Sequence, residues 1–177
     1  MALRLIEKQV IYTGRKVQLE IHHLEDEDGN RHKAEVVAHP GAVVILPVLD
    51  DQTIVLIRNR RHAVGHTLIE LPAGTLEKGE DPMNAAGREL QEETGFLAGR
   101  MRIVGNFYSC PGVSSEKMYA FAAFDLERTR QSLEGGEEIE VFEANIDDAL
   151  EWIRTGQIID AKTISTLMMY DKFLRTR

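Results

Sequence analysis

Residues 42–58 contain two nearly continuous runs of β-branched and other apolar residues, Ala42–Leu49 and Thr53–Arg58, separated only by Asp50-Asp51-Gln52. Runs without polar alternation read as buried strands, and the three polar residues between them read as a hairpin turn. Buried strands need a core around them, so the main domain begins here, at Gly41. The segment before it has a different texture. Gln9–Thr13, Lys16–His23 and His32–Ala38 have strand composition, and the acidic turn Glu25–Asn30 contains Asp28-Gly29. So few strands joined by a tight turn are marginal alone. Residues 1–40 are therefore expected to form an extension that leans on the rest of the chain or on a second subunit, and residues 41–177 the main domain.

Downstream, Asp81 followed by Pro82 has the form of an N-cap and first helical residue, and Gly95 that of the residue that ends a helix. The spacing predicts a helix over 82–94. Arg102–Tyr108 and Lys117–Asp125 have strand composition and flank a loop at 109–116. Asn145–Thr155 and Ala161–Thr176 have helical periodicity, with Ile146, Ala149, Leu150 and Ile153 on one stripe and Ile164, Leu167, Met168 and Leu174 on another. Strands, a helix, more strands and then helices make an α+β fold with a mixed sheet.

At 177 residues the chain has room for one such domain and a small appendage. Its 43% hydrophobic and 28% charged residues are ordinary for a soluble protein, and no apolar stretch approaches the ~20 residues of a membrane span. A net charge of −8 argues against binding a nucleic-acid backbone. The N-terminus lacks a secretory pattern and the single cysteine, Cys110, makes no internal disulfide. Both point to the cytoplasm.

Within the predicted helix, Glu89, Glu92 and Glu93 stand at i, i+3 and i+4, so their carboxylates share about 100° of arc. Carboxylates ~6 Å apart repel by about 2–3 kcal/mol per pair at an effective dielectric near 20, and the C-terminal end of the helix dipole adds to the cost. A divalent cation reverses both penalties. A solvated acidic face is the bland alternative for the helix taken alone.

Context decides between them. The stretch from Gly74 to Phe96 runs Gly, five residues, Glu80, seven residues, Arg88-Glu89, Leu90, one residue, Glu92-Glu93, one residue, Gly95 and an apolar residue. It resembles the Nudix box. With the seven fixed residue types each at roughly 6% abundance, a chance match in this chain is below about one in a million. Phe96 stands where the family usually has Ile, Leu or Val. The resemblance implies a mixed-sheet α-β-α sandwich, the Nudix fold, with Mg²⁺ or Mn²⁺ carried by the box helix. It further implies that Glu89 and Glu93 ligate metal, that Glu92 ligates a second metal or a metal-bound water, and that the Ala73 carbonyl completes the first site. Arg88 and Glu80 are expected to hold the loop by pairing with the box's own carboxylates or backbone. Glu77 is either metal-adjacent or simply exposed.

Outside the box, His39–Val44, Leu56–Arg61 and Ile69–Gly74 are similar to the ADP-ribose pyrophosphatase branch of that family. Pro111 lies 16 residues beyond Gly95, as in that branch, and the loop from Ser109 to Lys117 is similar to its Ser-Pro-Gly-Phe-Thr-Asp-Glu-Lys loop. Cys110 before the proline and Val113 in place of the aromatic depart from the pattern, and the missing aromatic would weaken stacking on a base or ribose. The resemblance implies that Arg61 contacts substrate, with Arg58, Glu70, Pro111 and Gly112 also in the substrate site; a guanidinium fork suits a diphosphate. Strand alternation, however, points Arg58 and Arg60 to one side and Arg61 to the other, so all three serve one site only if the strand has ended by then.

The acidic loop Glu134–Glu140 resembles the Glu-rich loop that supplies the base in that branch. Glu137 is the first candidate for general base, Glu138 the second, with Glu92 as a box alternative. His62 and His66 do not read as a zinc site, and Cys110 has no dedicated base beside it. Met168-Met169 and Trp152 are packing residues. The expected activity is hydrolysis of a nucleoside diphosphate derivative, ADP-ribose first, with GDP-mannose or another nucleotide sugar as the rival. A non-catalytic ligand sensor on the same fold is a further reading, and an isopentenyl-diphosphate isomerase would need a cysteine setting that Cys110 lacks. The branch also implies a homodimer that uses residues 1–39.

Overall fold

The computed structural model describes residues 2–133 and 135–175. The chain divides into two compact units, Met1–Gly41 with Tyr108–Lys117, and Ala42–Phe107 with Met118–Arg177.

In the smaller unit β1 (Arg4–Thr13), β2 (Gln18–Glu25) and β3 (Arg31–Ala38) form an antiparallel sheet in that order. Asp26 builds the turn between β2 and β3 by accepting from the backbone N–H groups of Asp28 (3.0 Å) and Asn30 (2.8 Å), and Gly29 takes the positive φ of 82° that the turn requires. β1 starts five residues before the expected Gln9, and all ten of its residues are exposed. The sequence reading places Tyr108–Lys117 in the main domain. Backbone pairing puts it here instead: Val37 N–H donates to the Val113 carbonyl (2.8 Å), and Ser115 N–H donates to the Val37 carbonyl (3.1 Å).

The larger unit contains β4 (Ala42–Pro47), β5 (Thr53–Arg61), β6 (His66–Glu70), β7 (Ala73–Thr75), α1 (Pro82–Thr94), most of β8 (Phe96–Tyr108) and β9 (Lys117–Arg128), β10 (Ile139–Asn145), α2 (Ile146–Arg154) and α3 (Ala161–Phe173). Four strands order as β7-β4-β9-β8, with β4 parallel to β9 and antiparallel to β7, and three more order as β10-β5-β6. The period of two sorts the core into halves. Ala42, Val44 and Leu46 of β4, with Ile54 and Leu56 of β5, join Ile146, Ala149, Leu167 and Tyr170 of the last two helices. Val43, Ile45 and Val55 join Ala85, Ala86 and Leu90 of α1. The mixed sheet is thus covered by α1 on one face and by α2 and α3 on the other, the α-β-α sandwich expected from the sequence.

The hairpin at 50–52 forms as expected, with the Asp50 carboxylate accepting from the N–H groups of Gln52 (2.9 Å) and Thr53 (2.8 Å). α1 has the expected bounds and α2 begins at its N-cap Asn145. α3 ends at Phe173 rather than at Thr176, which lies outside the described residues. Three strands were not legible beforehand. β6 and β7 are short and lack a clear alternation, and β10 begins inside the stretch read as an acidic loop, because Ile139 and Glu140 pair with Asn59 and Arg58.

Candidate active site

The site begins with the ends of α1. Asp81 caps the helix by accepting from the N–H groups of Met83 (2.9 Å) and Asn84 (3.2 Å), and Gly95 closes it at φ 73°, a left-handed conformation that suits glycine. With both ends set, Glu89, Glu92 and Glu93 fall on one side of the helix. Ala85, Ala86 and Leu90 are buried next to this arc, where they join the core, and Glu93 is buried with them.

Glu93 is 4% exposed and accepts a 2.8 Å hydrogen bond from the Ala73 N–H. Burial pushes its carboxyl up to about 8; the charges of Glu89 and Glu137 add to that rise, while the Ala73 N–H and Arg61 oppose it. Glu89 is also raised, chiefly by burial, with Glu92 and Glu137 contributing and Arg88 opposing. Its carboxylate lies over Gly74: a Cβ on that glycine would stand 1.8 Å from the Glu89 Cδ. The box glycine is thus the space that the first carboxylate occupies.

Arg88 holds the loop to the helix. It donates to both oxygens of Glu80 (3.0 Å each), to Glu89 (2.6 Å) and to Glu92 (3.1 Å). Glu80 is held below the usual carboxylate range by this guanidinium, and its second oxygen also accepts from the Glu77 N–H (2.9 Å). Glu77 is exposed, and its backbone rather than its carboxylate makes this contact.

A second knot of charge sits beside the acidic face. Glu70, at the end of β6, is fully buried. It receives a two-point fork from Arg61, Nε to Oε1 at 2.8 Å and Nη2 to Oε2 at 2.6 Å, and Lys162 Nζ reaches the same Oε2 at 2.6 Å. The Glu70 carboxylate raises the pKa of Arg61, and the charges of Glu93 and Asp160 add to this effect. Lys162 also pairs with Asp160 (3.0 Å), the N-cap of α3. The Asp160 carboxylate accepts from the Thr163 hydroxyl (2.6 Å), and that hydroxyl accepts from the Leu71 N–H (2.9 Å). Lys162 and Thr163 escaped the sequence reading because both partners lie 92 residues away and no local pattern links them.

Arg58 is not brought to this place. Strand alternation turns it to the opposite face, where it pairs with Glu140 directly across on β10 (3.0 Å) and stacks over Phe142 at 4.1 Å. Glu137 is half-buried and its charge is felt at Glu89 and Glu93; Glu138 is exposed, with its carbonyl accepting from the Arg60 N–H (3.3 Å). Glu134 lies outside the described residues. Pro111 and Gly112 belong to the smaller unit, in a turn where the Val113 and Ser114 N–H groups donate to the Cys110 carbonyl.

Among the described residues no three His, Cys, Asp or Glu side chains converge closely enough to hold an ion as they stand; Arg88 and the Ala73 N–H take oxygens of Glu89, Glu92 and Glu93. The donors still fit a hard divalent cation in kind. They are carboxylate oxygens, two of them on groups whose raised pKa values mark charge that burial leaves undercompensated.

A family model of the NUDIX domain matches residues 38–167. The ADP-ribose pyrophosphatase of Bacillus subtilis (strain 168) is 37% identical over 162 residues, 90% of this chain and 88% of that protein. The GDP-mannose pyrophosphatase of Salmonella typhimurium (strain LT2) is 37% identical over 147 residues, 77% of this chain and 76% of that protein. A crystal structure of an ADP compounds hydrolase superposes with a TM-score of 0.85 over 98% of this chain and 95% of that one; at 24% identity the likeness is one of fold. With the family's domain spanning most of its length and a hydrolase matching nine-tenths of it, the chain belongs to the Nudix family and is a Nudix hydrolase.

Proposed function

We propose that the enzyme hydrolyses the diphosphate bond of nucleoside diphosphate derivatives, and that ADP-ribose, cleaved to AMP and ribose 5-phosphate, is its preferred substrate. The observation that carries this reading is the juxtaposition of a carboxylate face on α1 with Arg61, whose charge is felt at Glu93. A diphosphate needs both: a guanidinium to hold it and carboxylates that recruit cations to neutralise it. The similarity to an ADP-ribose pyrophosphatase over nine-tenths of the chain supports the choice of substrate.

Nudix hydrolases generally use divalent metal ions, and here Glu89, Glu92, Glu93 and the Ala73 carbonyl are the groups that would hold Mg²⁺ or Mn²⁺. The chemistry a cation held there would supply is neutralisation of the diphosphate and a lowered pKa for the attacking water. The remaining work falls to the chain's own groups. Arg61, held on Glu70, orients the diphosphate. Arg88 and Glu80 keep the box loop against the helix. We assign the proton acceptor to Glu137, with Glu138 and Glu92 behind it; its charge acting on Glu89 and Glu93 supports this reading.

GDP-mannose is the alternative substrate, supported by equal identity to a GDP-mannose pyrophosphatase over a shorter span. Turnover of ADP-ribose and GDP-mannose in Mg²⁺, with products identified, separates the two. A higher kcat/KM for GDP-mannose would overturn the preference, and no turnover of either would favour a ligand sensor. The same reading makes the enzyme a cytoplasmic homodimer that binds neither nucleic acid nor membrane. The exposed apolar strand β1 supports the dimer, and the net charge of −8 counts against nucleic acid.

A further inference from the structure

We propose that Lys162 is a positioning residue for diphosphate binding: by sharing the buried carboxylate of Glu70, it frees Arg61 to be used by substrate. This rests on the reading of Arg61 given above.

Glu70 is fully buried, so its charge needs compensation at all times. With Arg61 as its sole counter-ion, every hydrogen bond that substrate drew from the guanidinium would weaken the pairing of a carboxylate that water cannot reach. That penalty would be set against binding. Lys162 Nζ removes it, standing 2.6 Å from the same Oε2 that Arg61 uses. The two cations differ in where they can go. Lys162 has a side chain 15% exposed and anchored at a helix start, between Glu70 and Asp160, whereas the Arg61 side chain is 39% exposed and extends from the end of β5. Arg61 is therefore the partner that can lend donors outward, and Lys162 the one that stays.

The same helix start also fixes the backbone next to Glu70. Asp160 orders the Thr163 hydroxyl, which accepts from the Leu71 N–H inside the core. Leu71 is two residues from Ala73, whose N–H meets Glu93. Lys162 and Thr163 thus both hold the start of the short link between β6 and β7, one through the Glu70 side chain and one through the Leu71 amide.

The test uses the full-length protein and two readouts. The first is calorimetric binding of inorganic pyrophosphate without divalent metal; the second is KM and kcat for ADP-ribose in Mg²⁺. Lys162→Met is expected to weaken pyrophosphate binding and raise KM by about 5–20-fold with kcat changed less than about twofold, and Lys162→Arg to recover most of the loss. In an Arg61→Lys background, Lys162→Met should add little, because it acts through Arg61. Unchanged pyrophosphate affinity in Lys162→Met, a loss that adds fully to that of Arg61→Lys, or a wild type that binds no pyrophosphate would each overturn the proposal. If Lys162→Met is too unstable to assay, Lys162→Gln, which keeps a neutral donor, is measured in its place with the same expectation. A wild type that binds pyrophosphate yet turns over neither ADP-ribose nor GDP-mannose would refute the proposed function while leaving the binding assay to judge Lys162.

Discussion

Burial gives Glu93 the thermodynamics of an acid that holds its proton to about pH 8, far above its ordinary value of 4.5. Between those values the folded chain binds more protons than the unfolded one, so in metal-free protein this group's contribution worsens as pH rises from about 4.5 to about 8. The difference sets an upper bound of about 5 kcal/mol on the loss. Glu93→Gln keeps an acceptor for the Ala73 N–H and removes the charge. Its metal-free form should therefore melt above wild type at pH 8, with the gap closing by pH 5, while turnover in saturating Mg²⁺ disappears. Equal melting temperatures at pH 8, or wild-type turnover, would refute the assignment. Glu137 presents a different case, since its charge raises both Glu89 and Glu93 from the neighbouring loop. If it is the base, Glu137→Gln lowers kcat by about 10²–10⁴ with little change in metal affinity. Near-full kcat from pH 6 to 9 in both Glu137→Gln and Glu138→Gln would move the role to Glu92 or Glu77.

At the level of elements, the box is a strand, a loop and a helix clamped together by a few contacts. β7 is paired to β4, so Gly74 presents its bare Cα to the α1 carboxylates. The clash that a Cβ would cause at Gly74 is with the far end of a flexible side chain, which can swing away at modest cost. Gly74→Ala is thus expected to cost under about 1 kcal/mol in urea unfolding. Activity should fall at least about tenfold, because the displaced group is Glu89. A variant with a large stability loss and undiminished activity per folded molecule would show that the glycine serves the fold rather than the site. Arg88 spans the same loop from the other end, linking Glu80, Glu89 and Glu92 through one guanidinium.

For the whole molecule, the exposed apolar strand β1 calls for a cover. Leu3 just before it, and Leu5, Ile6, Val10, Ile11 and Tyr12 within it, are each at least 39% exposed, an apolar density unusual for a free strand. A second copy of the chain is the expected cover. Light scattering at micromolar concentration should return twice the 20.0 kDa chain mass, and removing residues 1–39 should lower the melting temperature. A monomer whose stability is indifferent to that truncation would refute the dimer. The sequence by itself determined the elements whose signals are local: the caps Asp81 and Gly95 that bound α1, the buried runs of β4 and β5, and the i, i+3, i+4 spacing of Glu89, Glu92 and Glu93. Strand parity set Arg58 against Arg61 while the resemblance put both in the substrate site, and because β5 runs on through Arg61 the fold follows parity. What only the tertiary structure decided is every pairing across long stretches of chain. Lys162 on Glu70, Thr163 on Leu71, Val37 with the loop after Cys110, and the strand that begins at Ile139 all depend on partners that no neighbouring residue announces. The physical reason is that caps and periodicity are written in bonds between residues three or four apart, whereas a buried carboxylate takes whichever cation the finished fold brings within reach.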